Sequence, residues 1–428
     1  NATQVSDYDR VGPEIHGNTI LENSINGLLV RVKTPAGAYL EPIGVATRFD
    51  DLDIVHVVTE NLIISARVGG PLEVGTDPIS GNRILEAKYD ASLVIDPGTV
   101  VKLHGTHIEM PYSSNLIIEG TDSHQIILTS LGDSRYGAGG TFVTDNQPGN
   151  PPVNNNNPVF VSASPGDWSG IAAGPNSALS IDYTTLAFGG GASRVPGTFA
   201  TNSLLSVIDA DARITRSTLE YTDASLTLER PLGSVVYVAG AQPVIMNNVM
   251  QHNLGPAISM SVNDLNYEFV QDWGRSTGDV DLIDGRVGNQ DPYWGRSTGD
   301  VDLIDGRVGN QGPLVQGNML HDNGINGMVV RGATLTTESV WDDTDITHVV
   351  FDRITVPDFH TYGGLRLESG TRESLVVKFS NAEAGFYAIG KPLDIDDRIG
   401  GSINIVGQPH YPVVLTSIAD DTVGAGYT

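Results

Sequence analysis

The sequence contains no cysteine. That excludes disulfides, thiolate metal sites and cysteine nucleophiles. Positive charge is scarce: 24 Lys and Arg stand against 51 Asp and Glu, for a net charge of −27. With no basic stripe to release counterions from phosphate, a nucleic-acid partner is not expected, and an anionic membrane surface is disfavoured for the same reason. No run of eighteen apolar residues occurs, so membrane insertion is not expected. Apolar residues at i, i+3, i+4 and i+7 are absent over any long stretch, so helices are not expected either. The first residue is Asn rather than Met, and no signal peptide is visible. The sequence reads as a mature or excised piece of a longer protein.

Short β-branched runs bounded by Gly, Asn and Asp fill the chain instead: GLLVRV, NLIISARV, TVVKL, NLIIEG, IILTS, SVVYVAG, GMVVRG, SLVVKF and PVVLTS. They predict many short strands at close spacing. The longer pattern is duplication. GPEIHGNTILENSINGLLVR at 12–31 returns as GPLVQGNMLHDNGINGMVVR at 312–331, identical at ten of twenty positions. RFDDLDIVHVV (48–58) returns as VWDDTDITHVV (340–350), and the LIIEG…IILTS block at 116–140 returns at 403–426. The offset falls from 300 to 292 to 287 while the order of motifs is kept. The expected organisation is one unit over 1–311 and a partial second unit over 312–428 that continues the same solenoid. A repeat of roughly 290–300 residues would recur in a longer array. Within each unit, strand triplets return about every 20–25 residues, as rungs of stacked parallel strands would.

Two stretches break the rhythm. Residues 137–167 are rich in Asn, Pro and Gly and predict one long loop excursion. WGRSTGDVDLIDGRVGNQ occurs at 273–290 and again, without a change, at 294–311. Irregular turns are expected around 264–311.

These blocks carry a resemblance. IDPGTVVKLHG (95–105), LIIEG…IILTS (116–130), GDWSGI (166–171) and the GN-x-I-x-x-N-x-I-x-G pattern at 17–27 resemble right-handed parallel β-helix repeat proteins. The longer blocks INGLLVR, FDDLDIVHVVTENLI and HTYGGLRLESGTRESLVVK resemble the very large, repetitive surface proteins of planctomycete-type bacteria. The resemblance implies an all-β fold, a single elongated right-handed parallel β-helix, at an extracellular or cell-surface location. It also implies a calcium-friendly structural or adhesive role.

Candidate residues follow from the repeats. Asn18, Asn23, Asn318 and Asn323, with Asn248 and Asn253 in a degenerate third copy, are expected at rung corners. There each side-chain amide can bond the backbone of the rungs above and below, and Gly supplies the turn. Asp50, Asp51 and Asp53, with Asp342, Asp343 and Asp345, form two D-D-x-D clusters. Three roles fit them: caps on strand-initiating turns, a Ca²⁺ site with backbone carbonyls, or acid/base pairs. Duplication argues against catalysis, because a cleft needs one unique constellation. Asp279, Asp281 and Asp284, and again Asp300, Asp302 and Asp305, fit an acidic turn or a Ca²⁺ site. Their spacing is one residue off a Ca²⁺-binding helix-loop-helix, with no glutamate at the twelfth position. His56 and His348 read as stacked interior histidines, Lys102 and Lys378 as matched strand residues, and Arg31 and Arg331 as outward ion-pairing groups.

No nucleophile elbow, zinc-protease helix or phosphate loop is present. No enzyme and no required cofactor is expected, Ca²⁺ being an optional ligand. The leading expectation is a structural subunit of an extracellular bacterial assembly (fibre, sheath or layer) built by copies of this chain stacking. Two alternatives stand beside it: an adhesin or glycan-binding stalk using aromatic rows (Trp168, Tyr183, Tyr221, Trp273, Trp294, Trp341), and a β-helical polysaccharide lyase or glycoside hydrolase.

Overall fold

The β-branched runs form parallel strands in a computed structural model. It describes residues 15–20, 23, 25–32, 42–65, 71–76, 83–87, 91–138, 144, 162–192, 202–223, 233–265, 313–336, 339–357, 364–390 and 401–424. Among them the one helical element is a single 3₁₀ turn, Val262–Asp264. Most of the expected loop at 137–167, and both tandem segments with their six aspartates, lie outside the described residues.

Three parallel sheets of seven, eight and ten strands carry the architecture. The chain visits them in rotation. Asn115–Glu119 lies in the seven-stranded sheet, Ile126–Ser130 in the eight-stranded, Gly170–Ala173 in the ten-stranded, and Ala178–Asp182 is back in the first. Each strand therefore pairs with the strand one circuit away, not with its neighbour in sequence. An antiparallel hairpin, Pro71–Thr76 with Arg83–Ala87, is the exception and departs from an all-parallel expectation.

Register builds the core. In the seven-stranded sheet Phe49, Ile95, Ile118, Ile181, Ile214, Ile245 and Val315 are successive partners. In the ten-stranded sheet the row runs Leu62, Ile108, Ile171, Leu205, Val236, Ile258, Met328, His348, Val377 and Leu415. Most of these side chains join one hydrophobic cluster drawn from all three sheets. Each fully buried aliphatic contributes about 1.5–3 kcal/mol, and β-branched residues suit the pleat.

The corners use one left-handed residue each. Asn176, Asp209 and Gly240 form one column; Tyr183, Arg216, Asn247 and Gly317 a second; Phe188, Tyr221, His252 and Asp322 a third, all with φ between 42° and 67°. Bulky residues rarely adopt this region. Here stacking down the column offsets the strain: Phe188 lies 5.0 Å from Tyr221, and Tyr221 lies 5.2 Å from His252, ring over ring. Glycine is thus one of several corner residues, where the motif suggested it was the rule.

The second copy of the repeat starts one sheet further round. His56–Val58, Val100–Leu103 and Ile126–Ser130 lie in the eight-stranded sheet. Their counterparts His348–Val350, Val376–Phe379 and Val414–Ser417 lie in the ten-stranded sheet. Ser339–Trp341, Gly364–Glu368 and Ser402–Val406 then open a new three-stranded sheet.

Two side-chain expectations are corrected. Trp168 and Trp341 have no exposed surface; their indole N–H groups donate to Ala187 O (2.9 Å) and Ser339 Oγ (3.1 Å). They pack in the core and form no exposed row, and Trp273 and Trp294 lie outside the described residues. Arg31 pairs outward with Glu60 at 3.4 Å. Arg331 instead lies over the Tyr237 ring (4.1 Å) and donates to Ser259 Oγ at 2.8 Å.

Candidate functional site at the joint between the repeats

The asparagine motif and the D-D-x-D cluster meet in space in both copies. Gly17 and Gly317 both have φ of 65°. The Gly17 N–H donates to Asp53 Oδ2 at 2.7 Å, and the Gly317 N–H donates to Asp345 Oδ2 at 2.6 Å. The Ile15 N–H also donates to Asp51 Oδ1 at 3.0 Å. A carboxylate from the D-D-x-D cluster thus caps the turn that opens the asparagine motif, one circuit away. Asp51 and Asp343 are buried, Asp50 and Asp342 half-buried. Among the described residues no three His, Asp or Glu side chains converge as a metal-holding group. The second motif glycine serves close approach: a Cβ on Gly27 would lie 2.8 Å from Val55 O, and one on Gly327 2.7 Å from Thr347 O.

The asparagines link rungs. Asn318 Oδ1 accepts from the Asn248 N–H (3.1 Å) and from Asn248 Nδ2 (3.0 Å), while Asn318 Nδ2 donates to Ile245 O (2.8 Å). Asn248 repeats this one rung on, accepting from the Ser217 N–H (3.0 Å) and donating to Ile214 O (2.8 Å). Ser217 Oγ then accepts from the Thr184 N–H at 3.1 Å. A second ladder joins Asn323 to Asn253 (2.7 Å) and Asn253 to the Thr222 N–H (2.9 Å). Asn323 Nδ2 also donates to Asn326 Oδ1 at 2.8 Å. In the first copy Asn23 keeps that local bond to Asn26 at 3.3 Å, while exposed Asn18 donates to His16 O at 3.3 Å. Thr184 and Ser217 were not singled out from the sequence. The signal was there: TTLAF, STLEY, NVMQH and NMLHD align column by column, with the corner aromatics Phe188, Tyr221 and His252 in the last.

A further cluster repeats behind these corners. His56 stacks on Phe49 at 4.8 Å, and His348 stacks on Trp341 at 5.2 Å. Burial pushes both imidazoles down to about 4; Asp51 opposes the shift at His56 and the Ile346 backbone opposes it at His348. Lys102 and Lys378 are fully buried, donating to Asp133 O (2.7 Å) and Asp420 O (2.8 Å). Burial pulls Lys102 down to about 8, with Asp133 working the other way, and Lys378 moves in the same direction. Thr129 and Thr416 each donate to the carboxylate of that aspartate at 2.6 Å. Burial would raise Asp133, but hydrogen bonds from Arg135 and Thr129 outweigh it and hold the carboxyl low.

Two other buried carboxylates are well supplied with partners. Asp182 accepts from Arg213 (3.1 Å), Thr215 (2.8 Å) and Arg216 (2.9 Å). Glu220 accepts from Arg135 (2.7 Å) and Gln251 (2.8 Å). Such carboxylates hold neighbouring rungs together. Comparison with protein-family models, with curated proteins and with solved structures finds no match for this chain.

Proposed function

We propose that this chain is a structural span of an extracellular bacterial assembly, a surface fibre, sheath or layer. In this reading the stacked sheets close into a right-handed parallel β-helix. Units of roughly 300 residues then add rung on rung, and copies of the chain are its partners.

The observation that carries the proposal is the joint itself. Leu314–Gln316, Met319–His321 and Ile325–Arg331 pair in parallel with Val244–Met246, Val249–Gln251 and Pro256–Ser261. Both asparagine ladders run across the same boundary. The second repeat therefore docks on the first with the bonds used inside a repeat, and no adaptor is needed. The same bonds would serve between chains. The repeated carboxylates act in this reading as turn caps, with Ca²⁺ as a ligand that could bridge them rather than a requirement.

Negative-stain microscopy and light scattering on the purified chain test the proposal. End-to-end particles that lengthen with concentration at neutral pH are expected. A strictly monomeric chain at high concentration, with Ca²⁺ present, overturns it.

A further inference from the structure

At the start of the second repeat a cleft of about 310 Å³ opens beside the strand Met319–His321. Its polar wall is Asn326, Thr344, Asp345, Thr347, Glu373 and Ser374. By sequence alignment of the two copies, Leu52, Val55, Pro97 and Gly98 stand where Thr344, Thr347, Glu373 and Ser374 stand here. In the first copy these four positions are apolar or glycine, and Val55 packs with Val57, Val100, Ile127 and Leu131 against Ile25, Tyr136 and Ala138, while Asn26 and Asp53 match Asn326 and Asp345. Four of the six polar positions are therefore particular to the second copy and are not needed to build the repeat.

Two members of that wall are more than nine-tenths buried yet keep unused hydrogen-bonding groups. Asn326 is 6 % exposed. Its Oδ1 is occupied by the Asn323 N–H (3.1 Å) and Nδ2 (2.8 Å), and among the described residues no acceptor meets its own Nδ2. Thr347 is 7 % exposed, and among the described residues its hydroxyl has no hydrogen-bond partner. Neither group is sealed from solvent, so both are open to a ligand or water in the cleft.

The wall's chemistry narrows the ligand. Asp345 and Glu373 bring negative charge, and among the described residues no Lys, Arg or His lines the cleft, so its charge disfavours an anion. No three acidic or imidazole groups converge among the described residues, so the arrangement does not favour a metal ion. What remains is a wall of acceptors (two carboxylates) and donors (the Asn326 amide and the Thr347 and Ser374 hydroxyls), with Thr344 donating to Glu373 at 3.2 Å and Asn318 held in its ladder, beside apolar Leu320, Ile346 and Val376. Sugar hydroxyls both donate and accept, and a pyranose ring presents C–H faces to apolar surface. The volume lies at the lower end of the roughly 300–1,000 Å³ of small-ligand pockets. We propose that this cleft binds an uncharged saccharide, a single sugar residue or the end of a glycan chain. This site does not depend on stacking, because every lining residue comes from one chain.

The test uses the whole chain, dilute enough to be monomeric. Saturation-transfer NMR and calorimetry would be run against glucose, galactose, mannose and N-acetylglucosamine, their short oligomers, and glucuronate as the charged comparison. At least one neutral sugar should bind. Thr347→Val and Ser374→Gly, each installing the residue of the other copy, should weaken it at least tenfold with an unchanged circular dichroism spectrum. Asn326→Ala should do the same; Asn381→Ala, outside the cleft, should not. Binding of no neutral sugar overturns the proposal. So does an affinity indifferent to Thr347→Val and Ser374→Gly, or a preference for glucuronate. Ca²⁺ binding at this place, lost in Asp345→Asn, would reassign the cleft to a cation.

Discussion

Lowering the pH should load the fold at two known points, His56 and His348. His348 lies in the inner row of the ten-stranded sheet between Met328 and Val377, without exposed surface. Neither of its ring nitrogens has a well-formed hydrogen bond. Its pKa is pushed from 6.5 down to about 4 by burial. Between those values the unfolded chain holds a proton that the folded chain refuses. Stability is thus unaffected above about pH 6.5 and falls with pH down to about 4. At about 1.4 kcal/mol per unit, the full window amounts to about 3 kcal/mol for this residue. A protonated ring stacked on Trp341 would recover up to about 2 kcal/mol through cation–π attraction, so the net loss should lie between about 1 and 3 kcal/mol. His56, pushed to about 4 in the same way, adds a comparable term. Because a repeat array can unfold in parts, the readout should be local. Imidazole NMR titration reports the pKa, and amide exchange of Val349 and Val350 reports the stability of the strand. His348→Leu should remove its share of the acid sensitivity while leaving that of the first repeat. A His348 resonance titrating near 6.5, or an acid response unchanged in His348→Leu, would refute the reasoning.

Three other perturbations separate the parts of the joint. Gly317→Ala places a side chain on Asn247 Oδ1 at φ 65°, whereas Gly17→Ala has the same φ and open space around it. Denaturation should show about 1 kcal/mol lost for the second and clearly more for the first. Asn248→Ala strips partners from the Ser217 N–H and Ile214 O and should cost about 2–3 kcal/mol, against under about 0.5 kcal/mol for exposed Asn18→Ala. Asp345→Ala removes the cap on the Gly317 N–H and should cost about 1 kcal/mol, with a melting temperature indifferent to EDTA. A Ca²⁺-dependent rise in melting temperature that vanishes in Asp345→Ala would assign the cluster to the cation instead.

Much of the strand pattern was legible in the sequence, because a parallel strand buried on both faces writes itself as a short β-branched run. The spacing of the asparagines was legible for the same reason: a side chain that bonds the rung above must recur with the rung. Other features left no such trace. Starting the second repeat one sheet further round leaves every local pattern intact, so counting offsets cannot reveal it. Bulky corner residues such as Tyr183, Phe188 and Arg216 carry no mark of left-handed backbone, since their stacking partners lie a full circuit away. Trp168 and Trp341 looked available for ligands because alternation tells two faces apart without saying which faces the core. Lys102 was legible only as a matched strand residue; that it is buried, with its ammonium on Asp133 O, depends on a partner 31 residues away. The cleft residues Thr344, Thr347 and Ser374 carry no repeat signal, because these are positions where the two copies differ.

Stacking of chains in the register seen at 313–331 is most directly tested by fibre diffraction or electron cryomicroscopy of the concentrated chain at neutral pH with Ca²⁺. Filaments with a strand repeat of about 4.8 Å along their axis, uninterrupted where chains abut, are the predicted result. Monomeric particles at every concentration, or filaments whose strands run along the axis, would contradict it.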